Sequence, residues 1–211
     1  VGITDHSQSA YYANGLRIET IYEQHREIEA LNKKLAPFRI FKGIESDILA
    51  DGSLDYPEEI LQLFDFVIAS IHSGLSMTKE KATERLIRAI ENPYTSILGH
   101  PTGRLLLKRE GYPIDHRAVI EACATHRVAI EINGNPERLD LDWRWVRYAI
   151  EKGVMIALNP DAHEKEAYSH TRYALLVARK AGLTKEMTLN HFNTAQISAY
   201  FQQKKVFSRV L

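Results

Sequence analysis

Six short apolar runs alternate along the chain with longer stretches whose apolar positions recur every three or four residues. The runs cover residues 1–4, 39–44, 66–71, 96–98, 128–132 and 154–158. They are rich in Ile and Val and apolar at consecutive positions, which is how strands covered on both faces read. The stretches between them predict helices over 18–35, 78–91, 115–125, 143–151, 166–181 and 194–203. Ser76-Met77-Thr78 followed by Glu80, and Asp115 ahead of a periodic run, are helix starts; Gly153 and Gly182 lie just past two helix ends. Repeated strand–helix alternation predicts an α/β fold with a parallel sheet, either open and doubly wound or closed as a barrel. No linker or repeat interrupts the pattern, so residues 1–211 are expected to form a single domain.

Composition narrows the class. The chain is 45% hydrophobic with 11 glycines and seven prolines, so it is neither disordered nor fibrous. Its one cysteine, Cys123, excludes a disulfide framework and a four-thiolate zinc site. It suits a reducing compartment, so a cytoplasmic location is expected. No apolar run approaches the ~20 residues of a membrane helix, so no membrane partner is expected. Lys plus Arg and Asp plus Glu both total 27, which argues against a strong sequence-independent grip on nucleic acid by this domain alone. Nine histidines stand out.

Their positions carry the chemistry. The runs end in Thr4-Asp5-His6, Gly43-Ile44-Glu45, Ser70-Ile71-His72, Leu98-Gly99-His100 and Glu131-Ile132-Asn133, and the last continues into Asn159-Pro160-Asp161-Ala162-His163. In a parallel α/β fold all strand C-termini lie on one face, where sites are built. A lone strand-end histidine is ordinarily structural. Four of them together with Glu45 and Asp161 point instead to a metal centre. His25, His116, His126, His170 and His191 fall in helices or flanking loops and read as solvated or capping residues.

Imidazole and carboxylate without thiolate suit Zn, Mn or Fe. His6, Glu45, His72, His100, Asp161 and His163 are too many ligands for one tetrahedral ion. Two or three divalent ions bridged by Glu45 are more economical, and paired ions recur in phosphoester hydrolysis. No glycine-rich phosphate loop occurs. Ser7, Ser46 and Ser73 lie beside these residues without a nucleophile–base arrangement, and Cys123 reads as core.

The series Gly2-Ile3-Thr4-Asp5-His6-Ser7, Gly43-Ile44-Glu45, Ser70-Ile71-His72, Gly99-His100-Pro101 and Asp161-Ala162-His163 resembles the polymerase-and-histidinol-phosphatase (PHP) superfamily. Within it, Thr102-Gly103-Arg104-Leu105-Leu106 and Asn135-Pro136-Glu137-Arg138-Leu139-Asp140 resemble the C-terminal PHP domain of bacterial family X DNA polymerases. The resemblance implies a distorted (βα)7-type barrel with a trinuclear site. His6 and His163 would share one ion, Glu45, His72 and His100 would hold another, and Glu45 and Asp161 a third. Glu45, Asp161 and His163 would be the catalytic set, with Asp5 orienting His6. Arg104, Asn133 and Arg138 would meet substrate phosphates. The family's opening His-x-His strand and the ligand in the loop after it have no counterpart here. The barrel is therefore expected to lack its first βα unit, with reduced metal occupancy and an unpaired strand edge.

The implied activity is that of a metal-dependent phosphoesterase, a 3′–5′ exonuclease trimming DNA ends for a repair polymerase whose polymerase region lies outside this chain. A histidinol-phosphate-type phosphatase is one alternative, and a non-hydrolytic structural domain of a polymerase is another.

Overall fold

The computed structural model describes residues 1–207. Six parallel strands, β1 (Gly2–His6), β2 (Phe41–Asp47), β3 (Phe66–Ser70), β4 (Thr95–Leu98), β5 (Ala129–Asn133) and β6 (Ile156–Asn159), form one sheet in sequential order. Sequential order is the winding of a barrel and rules out the doubly wound alternative, in which the order reverses at a switch point. The sheet curls, because a single cavity of about 880 Å³ is lined by residues of all six strands. The result is a half-barrel with β1 and β6 as its two edges.

The helices are α1 (Ile18–Leu35), α2 (Glu58–Leu61), α3 (Lys79–Glu91), α4 (His116–His126), α5 (Trp143–Glu151), α6 (Thr171–Ala181) and α7 (Thr194–Phe207). Thr78, Asp115 and Asp142 cap α3, α4 and α5 by accepting backbone N–H groups, which satisfies donors a helix start leaves free. The stretch expected to be one helix from residue 166 is a 3-10 helix, Lys165–His170, followed by α6, a tightening common at helix starts. The four-residue α2 was not foreseen, being too short to show a period. Among the described residues no helix is long and apolar enough to cross a membrane.

Burial on both sheet faces explains the consecutive apolar positions. On the outer face Ile44, Val67, Leu98, Ile130 and Ile156 pack against Ile21, Leu86, Ile90, Ile120 and Val146 of the helices. Each such side chain contributes about 1.5–3 kcal/mol on leaving water. A second core fills the floor of the half-barrel, where Phe41, Phe66, Ile68, Ile97, Ala129 and Ala157 meet Leu189 and Phe201. Phe66 stacks on Phe201 of α7, ring centroids 4.7 Å apart and 10° from parallel. The edge of β6 is partly satisfied without a strand. Asn190 accepts from Leu158 N at 2.7 Å and donates to Leu158 O at 2.9 Å, as a neighbouring backbone would.

The Phe66 ring needs space on the two strands before it. A Cβ on Gly2 would stand 2.5 Å from Phe66 Cζ, and the three atoms nearest to it all belong to this ring. Gly2→Ala is therefore expected to cost about 1–3 kcal/mol by overpacking. Phe66→Ala should cost about 3–5 kcal/mol through the cavity it leaves. Combined, the alanine at position 2 should cost almost nothing beyond Phe66→Ala, a coupling that urea unfolding of the four proteins measures.

Candidate metal centre

Successive residues of a strand face opposite sides, so residues two apart share the barrel interior. On β2 this places Phe41 on the floor, Gly43 against the Phe66 ring and Glu45 in the upper cavity. On β5 Ala129 lies in the floor core and Glu131 lines the cavity, with Asn133 donating to Glu131 at 3.0 Å. The interior thus changes from apolar at the strand N-termini to polar at their C-termini. The polar ends are in the strands themselves: β1 reaches His6 and β2 reaches Asp47, beyond where the apolar runs stop.

Glu45 is the centre of the arrangement. His6 Nδ1 lies 3.3 Å from its Oε2, while His72 Nε2 and His100 Nε2 lie 3.4 and 3.1 Å from its Oε1. The imidazoles of His6 and His72 are 4.9 Å apart, those of His72 and His100 5.0 Å, and those of His6 and His163 5.8 Å. Glu45 is buried and His100 is only 1% exposed. Burial alone would raise the Glu45 pKa, but hydrogen bonds and charge from His100 and His72 outweigh it and hold the carboxyl well below its usual range. Burial likewise lowers the pKa of His72, yet Asp47 and Glu45 push it up to about 9.

The fit to a metal can be judged from these atoms. Ligand atoms of His6, Glu45 and His72 all lie within 4.8 Å of one another, as donors to one ion must. His6 Nδ1 and His100 Nδ1 are buried and without a hydrogen-bond partner among the described residues. Asp47 Oδ1 accepts from His72 Nδ1 at 2.5 Å, which fixes the ring and leaves Nε2 toward Glu45. A carboxylate behind a histidine is the usual outer support of a metal-bound imidazole. The donor set fits a divalent ion of the Zn, Mn or Fe type.

Asp161 and His163 stand on the far side of His6. Asp161 Oδ2 accepts from Asn133 Nδ2 at 3.0 Å and lies 3.6 Å from Arg138 Nε. The His163 side chain is 66% exposed at the cavity mouth, with Nδ1 3.8 Å from Asp161 Oδ1. His100 and Asp161 both have left-handed backbone, φ +22° and +53°, which costs about 1–3 kcal/mol at a non-glycine residue. Glu131 offsets this by holding His100 directly and Asp161 through Asn133. Its carboxylate accepts from His100 N at 3.1 Å, Asn133 Nδ2 at 3.0 Å and Asn159 Nδ2 at 2.7 Å. Burial pushes the Glu131 pKa up to about 7.

The three residues expected at phosphates are placed differently from one another. Arg138 reaches the centre through Asp161. Asn133 is fully buried and spends its amide on Glu131, Asp161 and the N–H of Asn135, so here it positions the site. Arg104 donates to the carbonyls of Arg138 and Leu139 and pairs with Asp142 at 3.4 Å, tying down the loop that carries Arg138. Asp5, expected behind His6, accepts from Gln24 of α1 at 2.6 Å instead, because alternation turns it to the outer face. Asp47, Glu131 and Asn159 take the supporting roles and were missed. Their positions two residues from Glu45, Asn133 and Asp161 were the available signal. His25, read as a solvated or capping residue, is buried against Phe64, ring centroids 5.0 Å apart. Ser7 Oγ accepts from Asp47 N at 2.8 Å and serves the β1–β2 junction.

Proton and metal should compete at His72. Its folded pKa lies above its unfolded one, so its contribution to the stability of metal-free protein is complete below about pH 6.5. That contribution is lost as pH rises through about 9. Isothermal titration with Zn²⁺ or Mn²⁺ should show affinity rising about tenfold per pH unit over that window, as one proton is displaced per ion. Asp47→Asn should weaken binding about 10–100-fold at neutral pH.

No family model matches the chain. The chain is 40% identical over 203 residues to the DNA polymerase/3′–5′ exonuclease PolX of Bacillus subtilis, which covers 96% of this chain and 36% of that protein. It is 35% identical over 191 residues to a probable phosphatase of Thermoanaerobacter sp., covering 84% of this chain and 74% of the relative. Among solved structures, a histidinol phosphate phosphatase from Lactococcus lactis, complexed with zinc, L-histidinol and phosphate, superposes with a TM-score of 0.53 at 19% identity. That superposition covers 81% of this chain and 76% of the other and shows the shared fold. With this sequence identity, this half-barrel and this histidine–carboxylate centre, the chain belongs to the polymerase-and-histidinol-phosphatase superfamily of metal-dependent phosphoesterases.

Proposed function

We propose that this domain removes nucleotides from DNA 3′ ends, as a 3′–5′ exonuclease serving a repair polymerase in the cytoplasm. The observation that carries the phosphoesterase reading is the buried Glu45 carboxylate ringed by His6, His72 and His100. The choice of DNA ends is supported by the 40% identity to PolX across 96% of this chain. The chain spans 36% of that relative's length, so a polymerase region and its hold on DNA would lie outside it. The single buried Cys123 accords with a reducing compartment.

In this reading two or three divalent ions bind, with Zn and Mn the first choices. Glu45, His72 and His100 would hold one, His6 and His163 a second, and Asp161 with Glu45 a third. Bound ions supply charge neutralisation at the phosphate and a lowered pKa for bound water. The chain's own residues do the rest. Asp47 and Glu131 hold His72 and His100 in place before substrate arrives, so no reorganisation is needed during the reaction. Arg138 presents guanidinium N–H groups beside Asp161, where a phosphodiester oxygen gains a charged donor. His163, at the cavity mouth with its ring 5.8 Å from that of His6, is placed to join His6 at the second ion.

The 35% identity to a probable phosphatase, covering 74% of that protein, favours a second reading in which the substrate is a small phosphomonoester. Turnover on a 3′-labelled single-stranded oligonucleotide and on glycerol phosphate separates the two. The exonuclease reading expects Mn²⁺-dependent release of mononucleotides, with the small ester at least ~100-fold poorer. His72→Ala should lower the DNA activity by ~100-fold or more while the protein still unfolds cooperatively. Full activity in that variant would overturn the assignment, and preference for the ester would favour the phosphatase.

A further inference from the structure

Two tyrosines beside the centre are not used by the chemistry above. They form the 3-10 turn Tyr11–Ala13 that follows β1, and they are 85% and 73% exposed. Most large rings on a domain of this size are packed, and exposed aromatics beside a concave site mark places where something else packs. The second ring, Tyr12, is not a stray surface residue. Its centroid lies 6.1 Å from that of His6 at a 56° tilt, against one of the candidate ligands. Partial burial, then the Asp47 and Glu45 carboxylates, push the pKa of its hydroxyl up, while the ring stays open. Another exposed ring, Tyr168, lines the cavity that also holds His6 and His163.

The turn is built to stay put. Ala10 is fully buried beneath it and accepts from Ala13 N at 2.9 Å and Gly15 N at 3.2 Å. Leu16 N donates to His6 O at 2.8 Å, closing the loop onto the strand end. A Cβ on Gly15 would sit 1.8 Å from Ser7 O, so no other residue permits this path. Ser9 Oγ donates to Asp47 Oδ2 at 2.9 Å, and Asp47 Oδ1 is the atom that orients His72. One carboxylate thus fixes both the segment leading into the turn and a candidate metal ligand.

We propose that Tyr12 is the base-stacking platform of the site: its ring packs against the nucleobase of the terminal nucleotide whose phosphate the centre holds. The inference rests on the DNA-end reading above and adds what selects a nucleotide over a plain phosphate ester. Stacking is tolerant of base identity because every base presents a π-face, which suits removal of successive nucleotides. A backbone turn that is already held in place also loses little conformational freedom on binding. Arg138 on the phosphate and Tyr12 on the base would grip one nucleotide at two points.

The test uses metal-loaded protein and oligonucleotides with a phosphorothioate terminal linkage that resists hydrolysis, so binding is read apart from turnover. One carries 2-aminopurine at the 3′ end and the other an abasic 3′ residue. Wild-type protein should quench the 2-aminopurine and bind that end ~10-fold more tightly than the abasic end. Tyr12→Ala should abolish both the quenching and the preference. Tyr12→Trp should retain both, and Tyr11→Ala should behave as wild type. If Tyr12→Ala weakens both oligonucleotides equally, the ring merely shields His6 and the proposal fails; if neither changes, it fails as well. Hydrolysis of an unmodified oligonucleotide by wild type, run alongside, tells the two readings apart. Activity without a Tyr12-dependent preference overturns only the stacking platform, whereas absence of any DNA hydrolysis overturns the exonuclease reading and the platform with it.

Discussion

A carboxylate buried between strands is expensive unless cations or donors surround it, and Glu45 is such a group. Three imidazoles from three other strand ends meet it at 3.1–3.4 Å, and they can do so only because parallel strands wound in sequential order bring every C-terminus to one rim. Much of the surrounding structure follows from this. Asp47 stands behind His72, Glu131 behind His100, and Asn133 between Glu131 and Asp161. Left-handed backbone at His100 and Asp161 is tolerated because the same network holds those residues.

The half-barrel separates two duties along each strand. At the N-terminal ends, the interior is closed by an aromatic floor in which Phe66 and Phe201 stack beneath glycine-lined strands. At the C-terminal ends, the interior is polar and preorganised. Stability and chemistry therefore sit about one strand length apart, and a change in one need not disturb the other. Arg85 shows how the loops are also secured from behind. Its buried guanidinium donates to the carbonyls of Ile48, Leu49 and Ser73, bracing the segments that follow Asp47 and His72.

Much of this was legible in the order of residues. Ile/Val-rich runs covered on both faces marked all six strands, and periodic stretches marked the six longer helices. Strand-end His6, Glu45, His72, His100 and Asp161 stood out because ionisable residues interrupt apolar runs at equivalent places. What escaped did so for physical reasons. Polar residues at the strand ends look like loop, so β1 and β2 appeared to stop before His6 and Asp47. Asp5 looked suited to orient His6, but alternation sends neighbours to opposite faces and puts Asp5 on Gln24. Arg104 has the chemistry of a phosphate ligand, yet carbonyl groups brought close by the fold occupy it. Such partners are distant in sequence, and no local pattern announces them.

The central claim is that Glu45 and the histidines around it exist to share divalent metal. Anomalous diffraction at the zinc edge, from crystals grown with Zn²⁺, addresses this directly. The account predicts anomalous peaks about 2.0–2.2 Å from a Glu45 carboxylate oxygen and from the facing nitrogens of His72 and His100. Peaks confined to surface histidines, with the imidazoles still hydrogen-bonded to Glu45 and no density between them, would contradict it.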